Sequence, residues 1–250
     1  MQPEIHLGPL TIQTFGVMFA LGFIAAGLVI ARRLQERGEP LDWAYELAFA
    51  SMIGGLVGAR VYYMVQHWST VQDDFFGNLF SGSGLVWYGG VIGGAIAVLA
   101  WAYVRRYPLL ALLDLSAVPL ALGYAFGRVG CQVSGDGDYG IASDLPWAMA
   151  YPDGTVPTDD RVHPTPIYET LAMGLVAWLL WRWRDRLQPG LVFAAYLVLS
   201  GTERFLVEFI RRNDEVFAGL TVPQLESLGL MVVGLIWFAR AASRRRVAPA

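Results

Sequence analysis

Lysine is absent from this 250-residue chain, and all 18 of its basic side chains are arginine. Charge of either sign is scarce, at 16% of residues, whereas 55% are hydrophobic, 13% are aromatic, and the mean hydropathy is +0.45. That balance excludes an ordinary soluble domain, in which about 25% of residues are charged. The single cysteine excludes an internal disulfide framework. No low-complexity linker long enough to divide domains is present, nor a clear internal repeat, so 1–250 reads as one integral membrane domain. No basic stretch precedes the first apolar run, and arginines follow it. It therefore reads as a retained helix, not a cleaved signal peptide.

What is present in quantity is long apolar sequence. A helix needs about 20 largely apolar residues to cross a bilayer, and Leu10 to Ala31 supplies such a run without charge. Asp74 to Arg105 encloses a second. Five others are shorter or carry a charge: Leu47 to Trp68, Leu115 to Gly135, Pro164 to Trp181, Leu187 to Phe209 and Val216 to Ala239. None of them alternates in the manner of a barrel strand, which predicts an all-α fold, a polytopic membrane bundle of about seven helices.

The arginines orient it. Twelve of the 18 fall in alternate connections, at Arg32, Arg33 and Arg37, at Arg105 and Arg106, at Arg182, Arg184 and Arg186, and at Arg240 and Arg244 to Arg246. By the positive-inside rule these sides face the cytoplasm, and so does the C-terminus. The opposite connections are VQDDFFGN and an acidic segment, 134–165, in which Asp136, Asp138, Asp144, Asp153, Asp159 and Asp160 meet only Arg161. These are extracytoplasmic, with the N-terminus on the same side. A charge distributed in this way describes topology and excludes nucleic-acid binding.

Glycines four apart at Gly54 and Gly58, Gly90 and Gly94, and Gly123 and Gly127 predict close helix packing. WYGG, Trp87 to Gly90, starts a helix at the outer boundary. Gly89 and Gly90 there either expose backbone groups to a ligand or belong with Trp87 and Tyr88 to an interfacial aromatic belt. Ionisable residues inside the spans carry more, since a charge at the bilayer centre costs about 2.5 to 3.5 kcal/mol on insertion scales and is kept for pairing or function. Arg60, Arg128, Glu169, Arg204 and Glu208 are such residues, and Arg204, Glu208 and Arg211 recur on one helical face. Three internal arginines against two glutamates leave positive charge for an anion, and a guanidinium holds phosphate through a planar fork. Inside a bilayer, the simplest such anion is a phospholipid headgroup.

The stretch GRVGCQVSGDGDYG, Gly127 to Gly140, resembles the signature of the prolipoprotein diacylglyceryl transferases. FGVMFALGF in the first span, HPTPIYE at His163 to Glu169 and RFLVEFIRRND at Arg204 to Asp214 resemble further blocks of that family in the same order, and WYGGVIGG stands where the family has His-Gly-Gly-Leu. The resemblance implies a bacterial enzyme of the cytoplasmic membrane that moves the diacylglyceryl group of phosphatidylglycerol onto the lipobox cysteine of a prolipoprotein. Its partners are then membrane lipids and prolipoprotein signal peptides, and neither metal nor cofactor is called for. By resemblance Arg128 and Arg204 neutralise the phosphate leaving group and Glu208 orients Arg204, while Arg60, as a charge within a span, and Gly89 and Gly90, at the helix start, complete the lipid-binding set. Proton removal from the thiol falls to Tyr88 or Asp136. Tyr88 replaces the family's histidine, Cys131 its signature asparagine and Phe15 a first-span tyrosine. Cys131 is expected to be a small buried neighbour, because the reacting thiol belongs to the substrate. His163 reads as part of the join into the next helix and not as the base. Two other readings stay open: a relative that binds anionic lipid without transferring it, and an anion transporter, which the absence of discontinuous repeat halves disfavours.

Overall fold

The computed structural model of the chain describes residues 1–72, 77 and 86–247, with the side chains of Leu7, Leu10, Thr70, Trp87 and residues 244–247 left aside. Of the connection VQDDFFGN, positions 73–76 and 78 lie outside the described residues, and the side chains of the terminal arginine cluster do too.

Seven long helices are described: α1 (Thr14–Glu36), α2 (Asp42–Gln66), α4 (Trp87–Arg105), α5 (Leu109–Ser134), α6 (Thr165–Trp183), α7 (Leu191–Val207) and α8 (Val222–Val247). A short α3 (Trp68–Val71) follows α2. Five helices, at 14–36, 42–66, 88–105, 109–134 and 222–243, are long and apolar enough to cross a membrane. The all-α expectation omitted three two-stranded antiparallel hairpins: β1 (Glu4–Leu7) with β2 (Leu10–Gln13), β3 (Met149–Tyr151) with β4 (Thr158–Val162), and β5 (Glu215–Phe217) with β6 (Leu220–Thr221). Strands of two to five residues in connections leave no periodic signal. The last span accordingly starts at Val222 instead of Val216, because Val216 and Phe217 belong to β5.

The chain forms two compact units, Met1–Val29 with Leu113–Ala250, and Ile30–Leu112. In the first, the buried face of α5 (Ala117, Val118, Ala121 and Ala125) packs on Met173, Val176, Ala177 and Leu180 of α6 and on Val192 and Ala195 of α7. Small side chains let these backbones approach where lipid removes the hydrophobic drive between helices. Asp114 of α5 accepts hydrogen bonds from the backbone N–H of Gly190 (2.6 Å) and Phe193 (3.0 Å), and so caps the start of α7 from a neighbouring helix. Gly201 and Gly234 bring α7 against α8: a Cβ on either would sit within 2.9 Å of a backbone oxygen of the other helix.

In the second unit α2 and α4 cross at glycines. A Cβ on Gly58 would overlap the Gly89 carbonyl oxygen, and one on Gly54 would lie 2.6 Å from that of Gly93. The contact pair on α4 is therefore Gly89 and Gly93, one residue earlier than the expected Gly90 and Gly94. Gly90 is in ordinary contact, 3.6 Å from Ala59 Cβ. A Cβ on Gly127 would meet nothing within 4 Å, against expectation, and nor would one on Gly123, although a Cβ on Gly22 of α1 would lie 3.8 Å from the Gly123 Cα. At the far end of this unit Arg105 and the Trp101 indole N–H hold the Glu46 carboxylate, and the Tyr107 hydroxyl stands between Arg37 and Glu39.

Candidate functional site

In the first unit, charged side chains from α5, α6 and α7 come together in one cluster. On α5, Tyr124, Arg128 and Cys131 succeed one another at i, i+4 and i+7 and share a face. The helix stops at Ser134, whose hydroxyl donates back to the Gly130 carbonyl at 2.8 Å. Gly135 (φ +61) and Gly137 (φ +94) then turn the chain through left-handed conformations open to glycine, and bring Asp136 and Asp138 back beside Arg128. Thr165, at the start of α6, donates to the Asp138 carbonyl at 2.6 Å and fixes that turn. One helical turn further on is Glu169, completely buried. The end of α7 and the 3-10 turn Glu208–Ile210 supply Arg204, Glu208 and Arg211.

These residues form one network. Arg128 pairs with the Asp138 carboxylate and places Nε 2.9 Å from Glu169 Oε2, while its guanidinium lies 4.9 Å from the centre of the Tyr124 ring. Tyr124 donates to Glu169 Oε1 at 3.2 Å. Arg204 reaches Glu169 at 3.5 Å and Glu208 at 2.8 Å. Arg211 binds Asp138 Oδ1 at 2.6 Å and lies 3.5 Å from Glu169. Glu208 is fixed from behind by Asn213 (2.6 Å) and Thr221 (2.8 Å), both donating to Oε1. Glu203 belongs to the same electrostatic set through Glu169 and the three arginines.

Three guanidiniums thus face Asp138, Glu169 and Glu208, with Glu203 close by, and the expected surplus of arginine does not hold in this unit. The positive groups are not left over; they are held in position. Such an array is a costly way to stabilise a fold, because desolvating the charges offsets most of their attraction, but it fixes N–H donors where negative charge can be received. Side-chain exposure separates the three: Arg204 keeps 21% and Arg128 16%, whereas Arg211 keeps 9%. The two arginines expected to meet a ligand are the accessible ones.

Burial alone would raise the Asp138 carboxyl, but Arg128 and then Arg211 outweigh it and hold it below the usual carboxylate range. Asp138, not the expected Asp136, is the acidic member that the arginines grip. Asp136 accepts from the Asp138 backbone N–H at 3.3 Å and reaches the Cys131 thiol. Cys131, Asp136 and Asp138 bring their polar atoms within 4.8 Å of one another, yet positive charge at Asp138 comes from two guanidiniums. Cys131 is buried, with Sγ 3.8 Å from Arg128 and 3.5 Å from Asp138. Phe15 lies against Gly130, where an added Cβ would stand 3.0 Å from its ring. His163 is 3.4 Å from the Tyr168 hydroxyl, which also accepts from Trp147 at 2.7 Å.

Of the other expected residues, Arg60, Tyr88, Gly89 and Gly90 belong to the second unit. Arg60 is buried on α2, its guanidinium 5.3 Å from the Tyr63 ring centre. Tyr88 is 46% exposed in the first turn of α4, and Gly89 is occupied by the crossing with Gly58. Sequence reasoning left Tyr124, Asp138 and Arg211 out of the site, and Glu169 out of its centre. Arg211 carried a signal in its spacing from Arg204; Tyr124 carried only its position one turn before Arg128.

The family model for prolipoprotein diacylglyceryl transferase matches residues 3–240. Among curated proteins, the chain is 32% identical over 242 residues to a phosphatidylglycerol–prolipoprotein diacylglyceryl transferase of Clostridium tetani, covering 95% of this chain and 97% of that one. It is 33% identical to a protein of the same name from Geobacter sulfurreducens, with 98% and 96% covered, and 31% identical to one from Methylococcus capsulatus, with 96% and 95% covered. With the arginine network assembled from the blocks that carry the likeness, the chain belongs to the prolipoprotein diacylglyceryl transferase family.

Proposed function

We propose that this chain transfers the diacylglyceryl group of phosphatidylglycerol to the lipobox cysteine of prolipoproteins. The observation that carries the reading is the network around Glu169, in which Arg128 and Arg204 are both held in place and partly open. The substrate thiol loses its proton, its sulfur bonds to the glycerol carbon that bears the phosphoester oxygen, and that carbon–oxygen bond breaks. Its electron pair leaves with glycerol phosphate. Arg128 and Arg204 receive the charge that develops on the phosphate, and Glu208 keeps Arg204 in line. Asp136 is the better acceptor for the thiol proton within the first unit, since Asp138 is committed to two arginines. Arg60, Gly89 and Gly90 are assigned to lipid binding, and Tyr88 is the other candidate base.

The acidic segment 134–165 and the N-terminus then face outward from the bacterial cytoplasmic membrane and the C-terminus inward, with seven crossings that add α6 and α7 to the five apolar helices. The prolipoprotein signal peptide enters from the membrane, and the chain works as one integral membrane domain.

The test is release of glycerol phosphate from phosphatidylglycerol in the presence of a lipobox peptide. Arg204→Ala is expected to lower the rate by about 10²–10³-fold, the usual loss for removing one charge-stabilising donor. Retention of phosphatidylglycerol with no release by the unaltered protein would favour the non-transferring lipid binder, the reading that Tyr88, Cys131 and Phe15 motivate.

A further inference from the structure

The end of α4 remote from Trp87 has a feature that the transfer reaction does not use. The helix closes with two hydrogen bonds, from Arg106 N–H to the Tyr103 carbonyl (3.2 Å) and from Tyr107 N–H to the Ala102 carbonyl (2.8 Å). This is the Schellman arrangement, in which the residue following the cap is left-handed and usually glycine. Here it is Arg106, at φ +53 and ψ +34. An arginine at that position is strained where glycine would not be, and an observed strain of this kind points to a use for the side chain.

Inside the protein that use is not evident. Arg105, its neighbour, is bound to Glu46, and Arg37 is bound to the Tyr107 hydroxyl. Among the described residues the Arg106 side chain has no carboxylate or hydrogen-bonding partner. It borders instead a cavity of about 650 Å³ lined also by Leu99, Tyr103, Val104, Tyr107 and Leu109. Tyr103 and Val104 are 86% and 76% exposed, and Leu109 is 54% exposed, so the recess is open, with polar and apolar surface in similar measure. Its polar floor is settled: burial and then Glu39 push the Tyr107 hydroxyl up to about 12, which keeps it neutral between Glu39 and Arg37.

We propose that this cavity binds a phospholipid with a net anionic headgroup. The headgroup phosphate pairs with Arg106, and an acyl chain lies along Leu99, Tyr103 and Leu109. Charge complementarity selects the occupant, because one cation beside the exposed side chains of Leu99 and Leu109 matches one phosphate on an acyl chain.

The experiment compares retention of phosphatidylserine and phosphatidylcholine by the purified full-length protein in native mass spectrometry, for the unaltered chain, Arg106→Gly and Arg106→Gln. Phosphatidylserine is the probe because phosphatidylglycerol is also the transfer substrate. The unaltered protein is expected to prefer phosphatidylserine by about fivefold, the usual effect of one arginine at an anionic lipid surface. Both variants are expected to lose that preference. In lipid-free detergent Arg106→Gly is expected to melt about 2–4 °C higher than the unaltered chain, since glycine relieves the backbone, while Arg106→Gln is not expected to gain. Selectivity unchanged in the two variants overturns the proposal. A lower melting temperature for Arg106→Gly also overturns it, because the arginine would then serve packing. Transfer activity is scored separately, so a failure here leaves the proposed reaction untouched.

Discussion

Glu169 is the residue on which Arg128, Arg204 and Arg211 converge, and it has no exposure to water with which to replace them. Glu169→Gln is therefore expected to leave buried guanidiniums uncompensated and to lower stability by about 3–5 kcal/mol, read as a lowered melting temperature in detergent. Arg128→Lys tests a different property, since it keeps the charge but removes the planar fork; the fold is expected to persist while transfer falls sharply. Asp138 carries a pH dependence. Its carboxyl titrates lower in the folded protein than in the unfolded chain, near 3.9, so its contribution is complete above that value and disappears as pH falls through the lowered one. The melting difference between the unaltered chain and Asp138→Asn, on the order of 1 kcal/mol because water screens a partly exposed carboxylate, is expected to be constant above about pH 5 and to shrink below about pH 4. A difference that grows in acid would contradict the pairing with Arg128 and Arg211. Arg128, Arg204 and Glu208 were legible in the sequence because charge is conspicuous in apolar helices. Which aspartate of Gly-Asp-Gly-Asp turns inward was not, because that is decided by two left-handed glycines and by Thr165, 27 residues away.

The helices themselves were legible from their apolar runs, yet their contact faces were less so. A spacing of four places glycines on one face without saying which neighbour covers it, and this is why Gly89 and Gly93, not Gly90 and Gly94, meet α2. It is also why an added Cβ on Gly123 or Gly127 would meet no neighbour, while α1 approaches Gly123 through Gly22. The contrast is measurable. Gly58→Ala and Gly93→Ala must push backbone from backbone and are expected to cost about 1–3 kcal/mol. Gly229→Ala, where nothing lies within 4 Å, is expected to be neutral or to stabilise by up to about 1 kcal/mol. Equal melting temperatures for Gly58→Ala and Gly229→Ala would contradict the α2–α4 crossing. The three hairpins escaped for another reason: strands of two to five residues are too short to show a period of their own.

Across the whole molecule, the arginine-rich connections argue for a fixed orientation. A cysteine introduced at Asp159 in a Cys131→Ala background is expected to react with an impermeant maleimide in intact cells, and one at Arg186 only after permeabilisation. Cys131→Ala itself is expected to keep transfer activity, since the buried thiol lies beside the network without a part in the displacement. The central claim is that the Glu169 network serves a transferase. The most direct test incubates purified protein with labelled phosphatidylglycerol and a lipobox peptide and measures the peptide's gain of a diacylglyceryl group, with Arg128→Ala as the control. The account predicts a thioether product from the unaltered chain and its loss in the variant. Product formed equally well by Arg128→Ala, or no product from a protein that still holds phosphatidylglycerol, would contradict it.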